Sequence, residues 1–571
     1  MAKWAHETIK KVVEKISVGE IVLPIIQREL VWKEDQMEML FDSVLKGHSF
    51  GAIICIEEEK NSTPLFDFRK FIDDYKTADN KSDKIATYKE TISVDKLDKE
   101  HWFVIDGQQR LQSFYIGLKG SYNGKKLYFD LFSDYKNDNY NFKFADKGSL
   151  ENDQFFYSVP KIFNDLSEIK DADTIADKII SDNSITDLNK TKLIEKNIEK
   201  FFSKIMGDDE GINISRVQVK KNDIIAARQQ IMELFRRLNN GGTVLSNYVL
   251  ASSMLKVFDP KMREFLRDTS IDNGKYGIGE NELIKLMLIL NDQPTKEVVN
   301  LTVTNQDNMN FANWVSSHQN RIRETLDILK TFLEHSQHYY WFATNRSRSA
   351  IPLYFLAYHI FHSSKSPKNF FDKFDTTNDN FKNMKKWLII SLLNEVFLSR
   401  GRGWVAYITG VNKIHSVLKN FKDKVFPVDE LIKVYENHPI RNFSLTITAD
   451  NLNLFDINYI LYLIYDGRSD IQNVDIDHIH PKSLLANKFD YEEINSVGNF
   501  QLLESITNRA EKRAKEFGEW FQKNVPTANQ SSFLARHFIP NDRNLWYTKN
   551  FKKFLEERNK LLANKINNII P

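Results

Sequence analysis

The sequence is most limited in cysteine, with Cys55 alone among 571 residues. This excludes a disulfide framework and a zinc site built from cysteines. No run of about 18 apolar residues is present, and the amphipathic N-terminus does not have the form of a signal peptide. We also find no internal repeat and no low-complexity tract. These absences predict a cytoplasmic protein with no membrane-spanning part.

Positive and negative side chains are nearly equal in number, and the net charge is +2 at pH 7. The net charge of the whole chain therefore does not indicate nucleic-acid binding. Residues 501–571, however, hold 13 Lys and Arg against 7 Asp and Glu, which leaves a net of −4 for the other 500 residues. Such a concentration of positive charge would attract a polyanion. A solvated helical face explains it equally well.

The most informative stretch is 475–513, which begins with an acid and a base side by side in a β-prone run, Asp477 and His478. Asn499 follows in a second strand-like run. A helix that starts near Ser505 or Thr507 then carries Asn508. This order predicts strand, loop, strand and helix, a compact unit able to hold one metal ion.

These residue types suit phosphodiester hydrolysis, because histidine is a base near neutral pH and Asp and Asn oxygens are ligands for Mg²⁺. We expect His478 to be the base, Asp477 and Asn508 to bind the metal, and Asn499 to hold the imidazole. The basic residues expected to meet DNA phosphates are Lys482, Arg509, Lys512 and Arg513. An Asp-His pair by itself is more often part of a packed strand.

Three ordered segments, DIDHIHPKSLL, VGNFQLL and ITNRAEKR, resemble the HNH (His-Me finger) nucleases. They are most similar to the C-terminal DUF1524 domain of the GmrSD-type, modification-dependent (type IV) restriction enzymes. The resemblance implies a ββα-metal domain in which His478 is the general base, Asp477 and Asn508 bind Mg²⁺ or Mn²⁺, and Asn499 is the middle asparagine. The last motif position, often histidine, is Asn508 here.

A second informative stretch is WFVIDGQQRLQSFYIGLKG (102–120), a strand that turns through glycine into a helix. Free backbone N–H groups at such a helix start form an anion site, and Arg110 and Asp106 add a charged fork and an acceptor. The alternative is a capped turn with solvated Arg and Gln side chains.

The segments PIIQRELVW, DSVLKG, VIDGQQRL and ELFRRLNNGGTVLS resemble, in this order, the DUF262 domain of the same GmrSD-type systems. That domain is related to the ParB/sulfiredoxin fold, and its DGQQR motif is tied to binding and hydrolysis of a nucleoside triphosphate (GTP or ATP). The residues implied for this chain are Asp106, Gly107, Gln108, Gln109 and Arg110, with Gln27 and Arg28 adjacent.

The expected fold class is α+β and mostly helical. We expect a sensor domain at 1–260, with insertions at about 59–100 and 130–215, a helical connecting domain at 261–430 and a nuclease domain at 431–571. Local patterns predict a helix over 5–19, a strand-like run over 21–32, a helix over 34–47 and a strand over 51–58.

The expected function is a DNA endonuclease of bacterial anti-phage defence that cleaves modified double-stranded phage DNA under control of the N-terminal domain. Two alternatives stay open: a DNA-binding NTPase switch or adaptor with a structural nuclease fold, and an unselective nuclease toxin of abortive defence. The sequence leaves open the modification, the nucleotide, and whether the chain forms a homodimer.

Overall fold

The computed structural model describes residues 2–27, 30–76, 92–151, 153–207, 211–219, 221, 223–239, 252, 255, 261–292, 305–344, 349–397, 407–436, 443–467, 474–504, 507–512 and 514–571. The chain divides into two compact units, Met1–Pro260 and Lys261–Pro571.

The first unit is built on a six-stranded mixed sheet with two smaller sheets beside it in the same unit. The strands are β1 (Ala2–Glu7), β2 (Ile21–Pro24), β3 (Ile53–Glu58), β4 (Phe68–Arg69), β5 (Asp74–Tyr75), β6 (His101–Asp106), β7 (Ser121–Tyr122), β8 (Lys126–Asp130), β9 (Phe142–Ala145), β10 (Ser149–Leu150), β11 (Phe155–Ser158) and β12 (Ile212–Val217). The main sheet has the order β1-β12-β3-β6-β2-β4, and the second sheet has the order β10-β11-β8-β9. Strands β12 and β3 are parallel, as are β2 and β6.

Seven helices of this unit are described. They are α1 (Ile9–Ser17), α2 (Glu34–Leu45), α3 (Gln108–Lys119), α4 (Val159–Ile169), α5 (Ala172–Asp182), α6 (Leu188–Met206) and α7 (Ile224–Asn239). The helix predicted over 5–19 starts only at Ile9, because residues 2–7 pair with β12 and the Thr8 side chain accepts the Lys11 N–H at 3.1 Å as an N-cap. The strand-like run predicted over 21–32 is a strand only as far as Pro24.

Two segments predicted as insertions contribute buried residues to the core of the first unit. In the 130–215 segment, β12 lies between β1 and β3 in the main sheet, and Phe142 stacks on Phe129 at 4.6 Å. In the 59–100 segment, Phe66 and Leu97 are buried in one apolar cluster with Phe103. Their Asp-, Asn- and Lys-rich composition reflects the exposed faces of elements whose other faces are packed.

The second unit is helical, with one two-stranded hairpin near its end. Its helices before the hairpin are α8 (Lys261–Gly274), α9 (Glu280–Leu290), α10 (Asn305–His335), α11 (Tyr339–Thr344), α12 (Ile351–Phe361), α13 (Asp379–Leu393), α14 (Tyr407–Lys419), α15 (Val428–Glu436) and α16 (Ile457–Ile464). Helix α12 is buried along its whole length, as expected for a helix that is apolar on every side. Within the described residues, no helix combines the length and apolar character needed to cross a membrane.

The hairpin pairs β13 (Val474–His478) with β14 (Phe500–Glu504) in antiparallel register, with Asp477 opposite Gln501 and His478 opposite Phe500. A one-turn π-helix, Thr507–Lys512, follows. The short helices between and the last helices are α17 (Lys482–Leu485), α18 (Tyr491–Ile494), α19 (Phe517–Asn524), α20 (Thr527–Arg536) and α21 (Phe551–Ile569). The mixed, mostly helical class predicted from the sequence is confirmed, whereas the ParB-like and HNH folds stay predictions.

Candidate active site

His478 ends strand β13, half-buried, with its ring edge-to-face on Phe500 at 4.8 Å between centroids. Its Nε2 lies 3.0 Å from Oδ1 of Asn495, and the Asn495 amide donates to the Tyr491 carbonyl at 2.7 Å. Because that amide is oriented by Tyr491, Oδ1 faces the imidazole and accepts from Nε2–H. A neutral His478 therefore keeps its lone pair on Nδ1, which has no hydrogen-bond partner among the described residues.

The surroundings of His478 also favour the neutral ring. Burial lowers its pKa below the ordinary value of 6.5, and the hydrogen bond to Asn495 and the charge of Asp477 oppose that effect in part. A neutral imidazole at physiological pH is the form that takes a proton, so both geometry and protonation suit a general base.

Asp477 is 5% exposed, and two neighbouring side chains contact its carboxylate. The Gln501 amide donates to Oδ2 at 2.7 Å from the facing strand. The Lys512 ammonium lies 3.0 Å from Oδ1 and 2.9 Å from Oδ2, and it also donates to the His478 carbonyl. Burial lowers the pKa of Lys512, and the Asp477 carboxylate opposes that effect.

This arrangement does not fit the expected metal site. A carboxylate has about four acceptor positions, and here Lys512 and Gln501 take three of them. The other expected ligand, Asn508, is half-buried on the π-helix. No group of three or more His, Cys, Asp and Glu residues suited to a metal occurs in the described parts of the chain. We therefore derive no chemical step through a metal ion.

Asn499 does not contact the imidazole, which corrects its predicted role. It is fully buried, its Oδ1 accepts the His480 N–H at 2.9 Å, and its amide donates to the carbonyls of His480 at 3.1 Å and Ile494 at 3.0 Å. Asn499 thus ties the end of β13 to the segment that carries Asn495. It is a positioning residue that acts through the backbone.

Arg558 supports the same turn from helix α21 and was not found from the sequence. It is fully buried and donates to the carbonyls of Val497, Gly498 and His537 at 2.8–3.2 Å. The sequence does contain a signal for this role. Arg558 occupies a position in the buried stripe of α21 where an apolar residue is expected, which indicates a buried, hydrogen-bonded arginine.

His480 is excluded as a site histidine by its packing. It is fully buried against Phe551 and Phe554, its Nε2 lies 3.1 Å from the Leu545 carbonyl, and burial lowers its pKa to about 3. The side chain is a neutral core residue.

The four predicted DNA contacts have different outcomes. Lys482 is exposed, with its ammonium over the Tyr491 ring at 5.0 Å, and its charge acts on His478. Lys512 is fully buried, so the prediction that it meets phosphate directly is wrong for this arrangement. The side chain of Arg509, and Arg513 altogether, lie outside the described residues.

In the first unit, the DGQQR turn requires its glycine. Gly107 has φ +92° between β6 and α3, and an added Cβ would lie 2.1 Å from Cδ1 of Ile53. Such a backbone conformation and such a close approach are open to glycine alone. The predicted strand, glycine turn and helix are thus present.

The polar side chains of this motif bind other parts of the protein. Arg110 pairs with Asp106 at 3.0 Å and donates to the Phe50 carbonyl, and burial lowers its pKa. The Gln109 side chain accepts the Val31 N–H at 2.8 Å. Gln108 is buried at the start of α3.

Gln27, predicted beside the nucleotide, donates to the carbonyls of Val104 and Ile105 at 2.9 and 2.7 Å. It therefore fixes the end of β6, the strand that leads into the turn. Arg28 lies outside the described residues. The contacts seen here cross-link the 104–110 segment to Gln27, Val31 and Phe50, and the nucleotide role stays a prediction.

Residues 9–256, which contain this motif, match the family model described as the N-terminal domain of the GmrSD restriction endonuclease. The first unit is a GmrSD-type N-terminal domain. The match ends at residue 256, before the hairpin. It supports a restriction endonuclease, which is a hydrolase, as the function class of the chain. No curated protein matches the chain by sequence.

Proposed function

We propose that the chain is a DNA endonuclease of the restriction type whose cleavage site is the 474–512 hairpin, with His478 as the general base. The observation that carries this proposal is the contact between Nε2 of His478 and an Asn495 amide that is itself oriented by Tyr491. It leaves Nδ1 as the basic nitrogen of a half-buried, neutral imidazole. The GmrSD-type N-terminal domain supports the choice of DNA as substrate.

In the proposed reaction, Nδ1 of His478 takes a proton from a water molecule, which attacks the phosphorus as the P–O bond to the leaving oxygen breaks. The leaving oxygen takes its proton from bulk water. Asn495 holds the ring and stabilises the tautomer that begins the reaction. Lys482, which is exposed, would contact a DNA phosphate. Dependence on Mg²⁺ or Mn²⁺, with Asp477 and Asn508 as ligands, stays a prediction for the cleavage assay, because Lys512 and Gln501 contact the Asp477 carboxylate in this structure.

The GmrSD-type domain is proposed to select the DNA, with modified phage DNA as the substrate and GTP or ATP bound at the 106–110 turn. Its support is the domain match together with a glycine turn that opens a helix N-terminus. Both ligands would have to prefer one arrangement of the protein to affect cleavage at the hairpin.

The test is cleavage of modified and unmodified plasmid DNA by the full chain, with Mg²⁺ or with excess EDTA. We expect cleavage with Mg²⁺, a preference for modified DNA, and a loss of about 10²–10⁴-fold in the His478→Ala variant. His48→Ala, an exposed histidine of the other unit, is the matched control and should cleave normally.

Full activity of His478→Ala contradicts the assignment of the base. Cleavage with no preference for modification supports the unselective toxin instead. DNA binding with no cleavage under any condition supports the adaptor.

A further inference from the structure

We propose that the exposed ring of Tyr491 binds a nucleobase of the DNA substrate beside the proposed cleavage site, while Lys482 contacts a neighbouring phosphate. The inference rests on the proposed nuclease function and adds to it a residue that positions the substrate. Tyr491 was not found from the sequence.

The exposure of the ring is the first argument. Tyr491 has 70% of its surface exposed, the highest value for a large hydrophobic side chain among the described residues of the second unit, where Val425 follows with 48%. An aromatic ring is a large apolar surface, so covering it with a planar ligand is favourable. A single exposed ring needs no explanation by itself, and its surroundings therefore decide its role.

The backbone that carries the ring is held firmly. Helix α18 begins with a capping box, and Glu493 of that box also pairs with Lys552 at 3.1 Å. Ile494 is buried, and its carbonyl accepts the Asn499 amide at 3.0 Å. The ring is thus displayed from a fixed turn, which lowers the entropic cost of binding a ligand on it.

The same turn is connected to the proposed general base. The Asn495 amide donates to the Tyr491 carbonyl at 2.7 Å, and Oδ1 of Asn495 lies 3.0 Å from Nε2 of His478. Two hydrogen bonds therefore join the backbone of Tyr491 to the imidazole. A base bound on this residue would lie beside the DNA bond that His478 is proposed to cleave.

The charges around the ring separate a base from a phosphate. Asp490 and Glu492, which flank Tyr491, are exposed and would repel a phosphate placed on the ring. Lys482 has its ammonium 5.0 Å from the ring centroid, and its charge reaches His478, whose pKa it lowers.

An aromatic surface next to a cation matches the base and the phosphate of a DNA strand. Aromatic side chains stack on bases that a single strand or a kinked duplex presents. The cation–π contact of an exposed lysine is weak, so the Lys482 ammonium can turn from the ring to a phosphate.

The test is binding of a fluorescently labelled DNA duplex by the full chain in excess EDTA, followed by anisotropy. We expect Tyr491→Ala to weaken binding about tenfold, in the range of one lost base–aromatic stack, and Tyr491→Phe to bind like the wild type because the ring is kept. Tyr340→Ala removes another exposed tyrosine of the same unit and should leave the affinity unchanged. Thermal melting of Tyr491→Ala should equal that of the wild type, since the ring is exposed.

The salt dependence of binding distinguishes the two contacts. Tyr491→Ala should leave the slope of log affinity against log salt unchanged, because the ring neutralises no phosphate. Lys482→Met should reduce that slope by about one. Wild-type affinity in Tyr491→Ala overturns the inference, as does a Tyr491→Phe variant that binds as weakly as Tyr491→Ala. An unchanged slope in Lys482→Met overturns the neighbouring phosphate contact.

These measurements do not depend on DNA cleavage. A wild type that cleaves DNA, together with a Tyr491→Ala variant of unchanged affinity, removes this inference and leaves the nuclease function intact. A ring-dependent affinity in a chain that cleaves no DNA under any condition removes the nuclease function and leaves a DNA contact.

Discussion

The 106–110 turn and the 474–512 hairpin begin from similar sequence signals, a strand that ends in polar residues, yet they differ in what their side chains do. At the turn, Gln109 and Arg110 are used to tie neighbouring segments together. At the hairpin, Asn499, Gln501 and Arg558 do that work, and His478 keeps one basic nitrogen unshared. The residue types of a motif therefore do not show which side chains cross-link the fold and which keep an atom unshared, whereas the partners of each atom do.

The largest loss of stability among the residues compared here is expected on substitution of Arg558, which supports the hairpin. Arg558→Met removes the donors of the buried Gly498 and His537 carbonyls, at about 1–3 kcal/mol each, while the Val497 carbonyl keeps the Phe500 N–H, so we expect at least about 2 kcal/mol of lost stability. The measurement is the thermal unfolding of the full chain, with a shift of several degrees in one transition. The control Lys560→Met removes an exposed ion pair with Glu557 and should leave the melting temperature nearly unchanged. Equal melting of the two variants would refute the supporting role of Arg558.

The next effect concerns Asn495, the orienting partner of His478, the proposed base. Asn495→Ala should lower plasmid cleavage about 10–100-fold with DNA affinity retained, by analogy with other groups that orient a functional imidazole. The hydrogen bond from His478 to Asn495 raises the pKa of the imidazole, so its removal lowers that pKa. The acid limb of the pH–rate profile should therefore move to lower pH. Asn529→Ala, an exposed amide on α20, is the control. An acid limb at the same pH in wild type and variant would contradict the role of Asn495 as the partner of His478.

At the turn, Gly107→Ala is expected to cost about 1–3 kcal/mol from backbone strain, with a further cost from the contact with Ile53. Gly124→Ala separates the two causes, because Gly124 has φ +84° and nothing within 4 Å of an added Cβ. That control should therefore cost only the backbone strain, about 1–3 kcal/mol. Thermal unfolding of the two variants gives the comparison, and equal losses would mean that the close approach to Ile53 is relieved without cost.

The smallest effect on stability is expected at Arg110, where the nucleotide hypothesis is tested. The Arg110–Asp106 pair is partly exposed, so Arg110→Ala should cost about 1 kcal/mol or less. Titration calorimetry with GTP and ATP should show binding by the wild type and at least a tenfold loss in the variant, because the guanidinium fork is removed. No binding by the wild type, or equal binding by both, would make the turn a structural cross-link only.

Much of the local structure was accessible from sequence periodicity. The apolar spacing in α2 and α6, the glycine turn into α3, and the strand-to-strand order around Asp477 and His478 all depend on neighbours a few residues away. The start of α1 was misplaced because β1 pairs with β12, about 200 residues further on. A pairing of that kind leaves no local signal.

The sequence alone determined which residue types stand at the ends of β6 and β13, and hence that a base, an acid and a glycine turn are available. Only the tertiary structure decided their partners. The imidazole of His478 contacts Asn495 and not Asn499, which was expected there. Lys512, which was expected at the DNA surface, is buried and pairs with Asp477. The physical reason is that the desolvation of a buried polar group is offset by whichever donor or acceptor packing brings within about 3 Å, and that choice depends on the whole fold.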